Sequence, residues 1–300
     1  MPGVRRAALA GALLVVLGAC TAEPSGSPEP TSTTGDAPPA ERVHVSLGDS
    51  YATGYRPADA GGPEGSAPGF ADLVAERSGL RLLNFACSGA TSAELRTEAG
   101  CAPAARALDA PDPGTRTQLD AAVQALREHE GRVGLVTVVI GGNDLAPCAR
   151  AEEPVACATG AVAEVRSNLA ATLPVLREAA GDAPIVGLTY PDVFLGAWVN
   201  TAFPNGQDLA RLSVSLFRDF FNNALKAEYE KAGVRFVDIT EATGGYGSLG
   251  EVTLDPTYGS IPTSVARVCA LTYFCRYADV HPTPEGHREI ADAVLAAMGR

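Results

Sequence analysis

One serine in this 300-residue chain lies where it could act as a nucleophile. Ser50 belongs to the run Gly48-Asp49-Ser50-Tyr51-Ala52-Thr53-Gly54, which directly follows the β-branched stretch 43–47, a predicted strand. Residues just past the C-terminal end of a strand occupy the place where open α/β sheets bind their ligands. Glycine, aspartate and serine are also the commonest turn residues, so the run taken alone is more typical of a turn.

Three further motifs place polar residues at comparable points of the chain. They are Asn84-Phe85-Ala86-Cys87-Ser88-Gly89-Ala90-Thr91, Gly141-Gly142-Asn143-Asp144 and Asp279-Val280-His281-Pro282. The first two each follow a predicted strand, and the third precedes the last predicted helix. Each motif alone is compatible with an ordinary turn or loop. The chain lacks the Gly-x-Ser-x-Gly elbow that is typical of α/β-hydrolases.

His281 is a candidate base for the serine. A serine hydroxyl is a poor nucleophile until a base within hydrogen-bond reach takes its proton. An imidazole titrates near neutral pH, so it can take that proton and return it to a leaving group. The other three histidines are interpreted as structural, because His44 lies within a strand, His129 at a helix end and His287 on the last helix.

The elements that would position these motifs alternate along the chain. A helical pattern follows nearly every apolar, β-branched stretch, and this alternation indicates a parallel sheet with helices on both faces. Functional residues are then expected on the loops after the strands. We predict strands over 43–47, 81–85, 133–140, 184–189 and 234–238, and helices over 70–78, 118–130, 160–180, 207–231 and 284–298.

In this order and with these flanking elements, the four motifs resemble those of the GDSL, or SGNH, hydrolases. The letters of the second name would be Ser50, Gly89, Asn143 and His281. The resemblance covers essentially the whole folded unit. It implies a three-layer α/β/α sandwich around a flavodoxin-like, five-stranded parallel sheet, and a serine ester hydrolase without a cofactor. The first motif departs by one letter, because Tyr51 stands where many members have leucine.

The resemblance also assigns roles to the motif residues. It implies that the backbone N–H groups of Ser50 and Gly89, with the side-chain amide of Asn143, stabilise the oxyanion formed during acyl transfer. The family's acid usually lies three residues before the histidine, where this chain has Ala278, whereas Asp279 lies two residues before it. Either the Asp279 carboxylate or the Ala278 backbone carbonyl could orient the imidazole, and we favour Asp279.

The N-terminus predicts export. Two arginines precede the uncharged apolar run 7–19, which is too short for a comfortable membrane span and typical of a signal peptide over 1–19. The run ends in Leu17-Gly18-Ala19-Cys20, which resembles the lipobox of bacterial lipoproteins and implies lipidation of Cys20. Ordinary secretion is the alternative. Residues 20–40, rich in Pro, Ser and Thr, predict a disordered tether, and 41–300 predict the hydrolase domain.

The charge balance limits the possible partners. The chain has 23 basic and 35 acidic residues, and removal of a signal peptide with two arginines leaves 21 against 35, a net charge of −14. A mature chain this acidic, with no basic cluster, is not expected to bind nucleic acid or to bind anionic lipid electrostatically. We expect a small-molecule or lipid ester as substrate, a membrane contact through the lipid on Cys20, and a monomer.

The cysteines suggest disulfides. Setting Cys20 aside leaves six of the seven cysteines, an even number in a chain predicted to reach an oxidising compartment. Six cysteines permit about fifteen connectivities. Because they fall in three sequence-local pairs, we predict Cys87–Cys101, Cys148–Cys157 and Cys269–Cys275. No C-x-x-C or histidine-rich spacing suggests zinc, and no metal is expected.

The segment 190–203, just after the fourth predicted strand, is open to two interpretations. It could line an acyl pocket, or it could pack on the core. Its large apolar side chains are Tyr190, Phe194, Leu195, Trp198, Val199 and Phe203.

Several functions stay open at this stage. A lipid-anchored position outside the cytoplasm favours lipid or envelope esters, so we expect a carboxylesterase or lipase, with a carbohydrate O-acetyl esterase as the alternative on the same site. A second class is a metal-dependent phosphoesterase using Asp49, Asp279, His281 and His287. A third is a surface binding lipoprotein that has kept the hydrolase fold and lost turnover.

Overall fold

The computed structural model describes residues 41–58 and 65–299, so the predicted signal peptide 1–19, lipidated Cys20 and tether 20–40 lie outside the described residues. The centre is a five-stranded parallel sheet, and its strand order β2-β1-β3-β4-β5 confirms the predicted flavodoxin-like fold. The strands, numbered along the chain, are β1 (Val43–Gly48), β2 (Arg81–Asn84), β3 (Val133–Val139), β4 (Ile185–Leu188) and β5 (Arg235–Val237).

Strand β1 lies inside the sheet, between β2 and β3. Every residue of β1 and β3 is buried. Strands covered on both faces must be apolar on both faces, which is why these two sequences are nearly continuous apolar runs. Val45 of β1 is in register with Leu83 of β2 and Val136 of β3. The loop after β1 therefore emerges between the loops after β2 and β3, at the C-terminal edge of the sheet.

Helices form the two outer layers. The helix Phe70–Ser78 packs against the C-terminal helix Pro284–Ala297, and the long helix Pro154–Ala180 packs against Gln118–Glu128 and Asn222–Lys231. In the described part of the chain, two further helices have eight or more residues, Gly206–Ser215 and Thr263–Leu271. Shorter helical turns are Ser50–Thr53, Glu94–Thr97, Pro103–Ala105, Gly142–Leu145, Ala146–Arg150, Val193–Trp198, Ile239–Ala242 and Phe274–Tyr277.

The long helix begins earlier than the predicted residue 160. It starts at Pro154, where a proline is well suited because the first helical N–H has no partner inside a helix. Cys157, in the first turn, is bonded to Cys148, so this extension is tied to the segment that follows β3. Pro174 lies within the helix without ending it.

The helix predicted over 207–231 is interrupted in the structure. A π-helical turn, Leu216–Phe221, separates its two α-helical parts. Around this turn Phe217 and Phe221 meet edge-on, with ring centroids 5.9 Å apart, and Phe221 stacks at 6.3 Å on the ring of Tyr190. Such turns carry no distinct periodicity, so the apolar pattern predicts one continuous helix.

Part of the segment 190–203 packs on the interior. Tyr190 belongs to the main core around the sheet, and Leu195 is fully buried in a second cluster. Phe203 stacks on Phe274 with ring centroids 5.3 Å apart. The segment therefore divides between its two interpretations. Tyr190 and Leu195 pack on the core, whereas Trp198, Val199 and Phe203 line a surface pocket.

Three disulfides link the predicted pairs, with Cα–Cα separations of 5.9 Å for Cys87–Cys101, 5.4 Å for Cys148–Cys157 and 5.2 Å for Cys269–Cys275. Two short antiparallel hairpins complete the fold, Tyr55–Arg56 with Gly65–Ser66 and Val252–Asp255 with Gly259–Pro262. Within 41–58 and 65–299, no helix is both long and apolar enough to cross a membrane.

Candidate active site

The serine is positioned by a sharp turn at the end of β1. Gly48 has a φ of +144°, and a Cβ at this position would lie 2.1 Å from the carbonyl oxygen of Val139, so only glycine fits. Asp49 caps the short helix that follows, because its Oδ1 accepts a hydrogen bond from the N–H of Tyr51 at 3.0 Å. Ser50 is therefore the first residue of this helix, and it is 9% exposed.

The histidine reaches this serine from the loop before the last helix. The Nε2 of His281 lies 2.8 Å from the Oγ of Ser50, although the two residues are 231 positions apart. Its Nδ1 lies 2.9 Å from the Oδ1 of Asp279. With Nδ1–H donated to the carboxylate, Nε2 is the acceptor for the hydroxyl proton of the serine.

Asp279 reaches the imidazole because of the backbone before it. Ala278 has a φ of +53°, and this left-handed residue ends the helical turn Phe274–Tyr277 and redirects the chain. Of the two orienting groups that the sequence leaves open, the structure places the Asp279 carboxylate on Nδ1. Partial burial raises the pKa of Asp279, but hydrogen bonds and charge from His281 outweigh burial and hold that pKa below its usual value.

Aromatic side chains hold the histidine loop. The ring of Tyr55 contacts the ring of His281, with centroids 4.4 Å apart and the two planes tilted by 50°. The hydroxyl of Tyr51 donates a hydrogen bond to the carbonyl oxygen of Val280 at 2.5 Å. A leucine at position 51 could not make this bond, so the one-letter departure in the first motif adds a contact between the serine turn and the histidine loop.

The loops after β1, β2 and β3 carry the three expected oxyanion donors. Within the described parts of the chain, the N–H groups of Ser50 and Gly89 donate to no protein acceptor. Gly89 has a φ of +88°, a conformation that favours glycine. The amide of Asn143 donates to the carbonyl oxygen of Ala90 at 3.0 Å, which places it beside the Gly89 loop with a second N–H available.

Asp144 links the loop after β3 to the loop after β2. Its Oδ1 accepts the hydroxyl of Ser92 at 2.6 Å, and its Oδ2 accepts the N–H of Ser92 at 2.9 Å. Asn168, on the long helix, donates to the same serine hydroxyl at 3.0 Å. No sequence pattern indicates a role for these three residues, and their contacts identify Asp144 as a structural brace.

Asp49 and Tyr190 form a buried hydrogen-bonded pair beneath the turn that carries Ser50. The hydroxyl of Tyr190 donates to the Oδ2 of Asp49 at 2.5 Å and accepts the N–H of Gly142 at 3.0 Å. Burial is the main reason that the pKa of Asp49 is raised to about 6 and that the pKa of Tyr190 is also raised. No sequence pattern indicates this pair, because its members are 141 positions apart.

The other three histidines have structural surroundings. His44 is buried, its Nε2 lies 2.8 Å from the hydroxyl of Thr137, and burial lowers its pKa to about 3. His287 accepts the N–H of Phe70 on Nδ1 at 3.2 Å, and burial lowers its pKa to about 4. His129 ends a helix, as its position predicts.

The four side chains of the metal-dependent alternative do not converge on one point. The carboxylate of Asp49 accepts a hydrogen bond from the hydroxyl of Tyr190, and the Nδ1 of His287 accepts one from the backbone N–H of Phe70. Among the residues that the structure describes, no group of three or more His, Cys, Asp or Glu is arranged to hold a metal ion. The geometry therefore supports nucleophilic chemistry at Ser50.

A family model and solved structures are similar to this chain. The model of the GDSL-like lipase/acylhydrolase family matches residues 46–289. A phospholipase A1 from Streptomyces albidoflavus NA297 is 18% identical, with a TM-score of 0.50 over 87% of this chain and 99% of its own. An acetyl-xylooligosaccharide esterase from Geobacillus stearothermophilus is 17% identical, with a TM-score of 0.50 over 86% of this chain and 94% of its own. No curated protein sequence matches the chain.

Proposed function

Since the chain belongs to the GDSL-like lipase/acylhydrolase family, we propose that it is an extracytoplasmic serine hydrolase that cleaves carboxylic esters. One observation carries the proposal: His281 lies 2.8 Å from the hydroxyl of Ser50 and 2.9 Å from the carboxylate of Asp279. A nucleophile, a base and a group that orients the base, each within hydrogen-bond reach of the next, are the requirements for acyl transfer through a covalent intermediate.

In the first half-reaction the acyl group moves to the enzyme. The Oγ of Ser50 attacks the ester carbonyl carbon while its proton passes to the Nε2 of His281. The carbonyl electrons move onto oxygen, and the resulting oxyanion is stabilised by the N–H groups of Ser50 and Gly89 and the amide of Asn143. When this intermediate collapses, the bond to the alkoxide breaks, and the imidazolium returns the proton to release an alcohol.

In the second half-reaction water replaces the alcohol. His281 takes a proton from the water, whose oxygen attacks the acyl carbon, and the same donors stabilise the second oxyanion. Collapse breaks the bond to Ser50, which regains its proton from His281, and a carboxylic acid leaves. Asp279 stabilises the imidazolium in both halves by its charge and holds the ring in the tautomer that keeps Nε2 free.

Within this class we propose a carboxylesterase or lipase. The two similar structures, a phospholipase A1 and an acetyl-xylooligosaccharide esterase, have equal TM-scores of 0.50, so the shared fold is compatible with lipid and carbohydrate esters. Export favours lipid or envelope esters over the thioesters of the cytosol. A carbohydrate O-acetyl esterase is the second candidate, because one of the two neighbours is an acetyl-xylooligosaccharide esterase.

We further propose that the protein acts outside the cytoplasm as a monomer anchored through a lipid on Cys20. Three disulfides favour an oxidising compartment. Cys20→Ser should release active protein into the medium, because the described domain carries the whole proposed site. Wild-type protein that is already unlipidated and wholly in the medium would show that the anchor does not exist.

Hydrolysis of p-nitrophenyl esters of increasing acyl length, beside acetylated xylo-oligosaccharides, tests both candidates. Wild type should turn over at least one series, Ser50→Ala should be inactive, and a fluorophosphonate should label Ser50. Activity on long acyl chains supports a lipase, and release of acetate from the oligosaccharides alone supports the second candidate. Activity that a chelator abolishes and a fluorophosphonate does not would favour a metal-dependent enzyme. A wild type that equals Ser50→Ala on every ester would favour a binding protein.

A further inference from the structure

We infer that Tyr190 is a positioning residue for the hydrolysis: its buried hydroxyl links the Asn143 loop to the Ser50 turn and so fixes the separation of two oxyanion donors. The inference rests on the proposed function. Tyr190 follows β4 and is 6% exposed, so it acts from beneath the site and offers no group to the substrate.

The link consists of three consecutive hydrogen bonds. The N–H of Gly142, the residue before Asn143, donates to the Tyr190 hydroxyl at 3.0 Å. That hydroxyl donates to the Oδ2 of Asp49 at 2.5 Å, and the Oδ1 of Asp49 accepts the N–H of Tyr51 at 3.0 Å. The series thus runs from one side of Asn143 to the helical turn that begins at Ser50.

The ring that carries this hydroxyl is held on several sides. Tyr51 contacts it edge-on, with centroids 4.9 Å apart, and Phe221 stacks on it at 6.3 Å. A Cβ at Gly142 would lie 3.0 Å from the Cε1 and Cζ atoms of the ring. Glycine at 142 therefore allows the ring to approach the backbone closely, and an alanine there would press on the phenol.

Two of the proposed oxyanion donors belong to residues next to the ends of this series, Asn143 after Gly142 and Ser50 before Tyr51. The N–H of Ser50 belongs to the helical turn that Asp49 caps, and the Asn143 side chain extends from the residue after Gly142. Stabilisation of an oxyanion requires donors that are already in place, and a misplacement of about 1 Å can lower a rate about 100-fold. A group that sets the spacing of two donors should therefore affect the transition state more than the bound substrate.

The test replaces the hydroxyl and retains the ring. Tyr190→Phe is compared with Tyr229→Phe, a matched control, because Tyr229 is also buried but its hydroxyl donates to the carbonyl oxygen of Val138, 3.4 Å away. Both variants and wild type are assayed on a p-nitrophenyl ester, with Ser50→Ala as the blank. Titration with a fluorophosphonate counts the competent sites, so kcat is expressed per active site and misfolded protein does not contribute.

We expect Tyr190→Phe to lower kcat per site about 10- to 100-fold with KM within about twofold, because ground-state binding is retained. Its affinity for an alkylboronic acid, which forms a tetrahedral adduct on serine, should fall in proportion. Tyr229→Phe should stay within about twofold of wild type in kcat and KM. If Tyr190→Phe does not fold, Gly142→Ala, which displaces the phenol without removing it, should show the same loss of kcat at unchanged KM.

Three outcomes would overturn the inference. The first is a kcat of Tyr190→Phe within twofold of wild type, and the second is an equal loss in Tyr229→Phe, which would indicate a general effect of buried hydroxyls. The third is a loss that lies only in the number of titratable sites, which would make Tyr190 a stability residue. A wild type no more active than Ser50→Ala would overturn the proposed function itself, a result that the comparison of the two tyrosine variants cannot produce.

Discussion

A single oxygen of Asp279 accepts two hydrogen bonds from His281, one from the ring Nδ1–H and one from the backbone N–H, each 2.9 Å long. The carboxylate therefore orients the imidazole and also holds the peptide to which the imidazole is attached. The left-handed conformation of Ala278, with φ at +53°, directs the chain so that an acid two residues before the histidine can do this.

Asp279→Asn should lower kcat by several orders of magnitude. An amide neither stabilises the imidazolium by charge nor enforces the tautomer with Nε2 free, and in serine proteases the equivalent change costs about 10⁴-fold. Steady-state kinetics on a p-nitrophenyl ester measures the effect, with Asp208→Asn as control because that side chain is 84% exposed. A loss of about tenfold or less, roughly 1.4 kcal/mol, would assign the orienting role to the Ala278 carbonyl.

Substitutions at Ala278 should show whether activity and stability depend on the left-handed backbone conformation at this position. A left-handed non-glycine residue costs roughly 1–2 kcal/mol, so Ala278→Gly should retain kcat and unfold at the same or a higher temperature. Ala278→Val should lower both kcat and the unfolding temperature, because a β-branched residue resists this conformation. Ala163→Val, at an exposed helical position, is the matched control. Equal behaviour of the two valine variants would show that the turn at 278 tolerates other backbone conformations.

Loss of the Cys87–Cys101 bridge should lower stability and activity together. Cys87 lies two residues before Gly89, so the bridge braces the loop that presents an oxyanion donor. Cys87→Ser combined with Cys101→Ser should reduce the free energy of unfolding by roughly 2–4 kcal/mol and lower kcat. Urea unfolding and ester kinetics measure the two effects. A double variant with wild-type kcat at a temperature where it is fully folded would limit the bridge to stability.

Acid should destabilise the protein through His287. Burial lowers the pKa of His287 to about 4, below its ordinary 6.5, so the folded state favours the neutral ring. The neutral ring contributes roughly 3 kcal/mol to the free energy of unfolding above pH 6.5, and this contribution is lost as the pH falls towards 4. His287→Asn keeps an acceptor for the N–H of Phe70 and should flatten the fall in unfolding free energy between pH 7 and 4.5. An unchanged slope would mean that other groups cause the acid sensitivity.

The sequence predicts well what depends on local pattern. The five strands and the helix Phe70–Ser78 are predicted by runs of apolar and β-branched residues. The four motifs are recognised by their order, three of them directly after a strand and the fourth before the last helix. The disulfide pairing is also predictable, because each bridge joins cysteines that are close in sequence.

What the sequence does not reveal depends on contacts between distant residues. The link from Tyr190 to Asp49 spans 141 positions, and the bond from Tyr51 to the carbonyl of Val280 spans 229. The left-handed turn at Ala278 is also hidden, because alanine carries no signal for that conformation. These are the features that determine how the motif residues meet, and they become visible only when the sheet brings the loops together.

The three disulfides have a consequence for when this protein becomes competent. One lies beside Gly89, one follows the Asn143 turn, and one ends just before Asp279, so every loop brought to Ser50 has a bridge next to it. A newly made chain in a reducing cytoplasm has its thiols free. Under the proposed export, crossing the membrane acts as a maturation step: the bridges form in the oxidising compartment, and the enzyme becomes active only after it has left the esters of the cell interior.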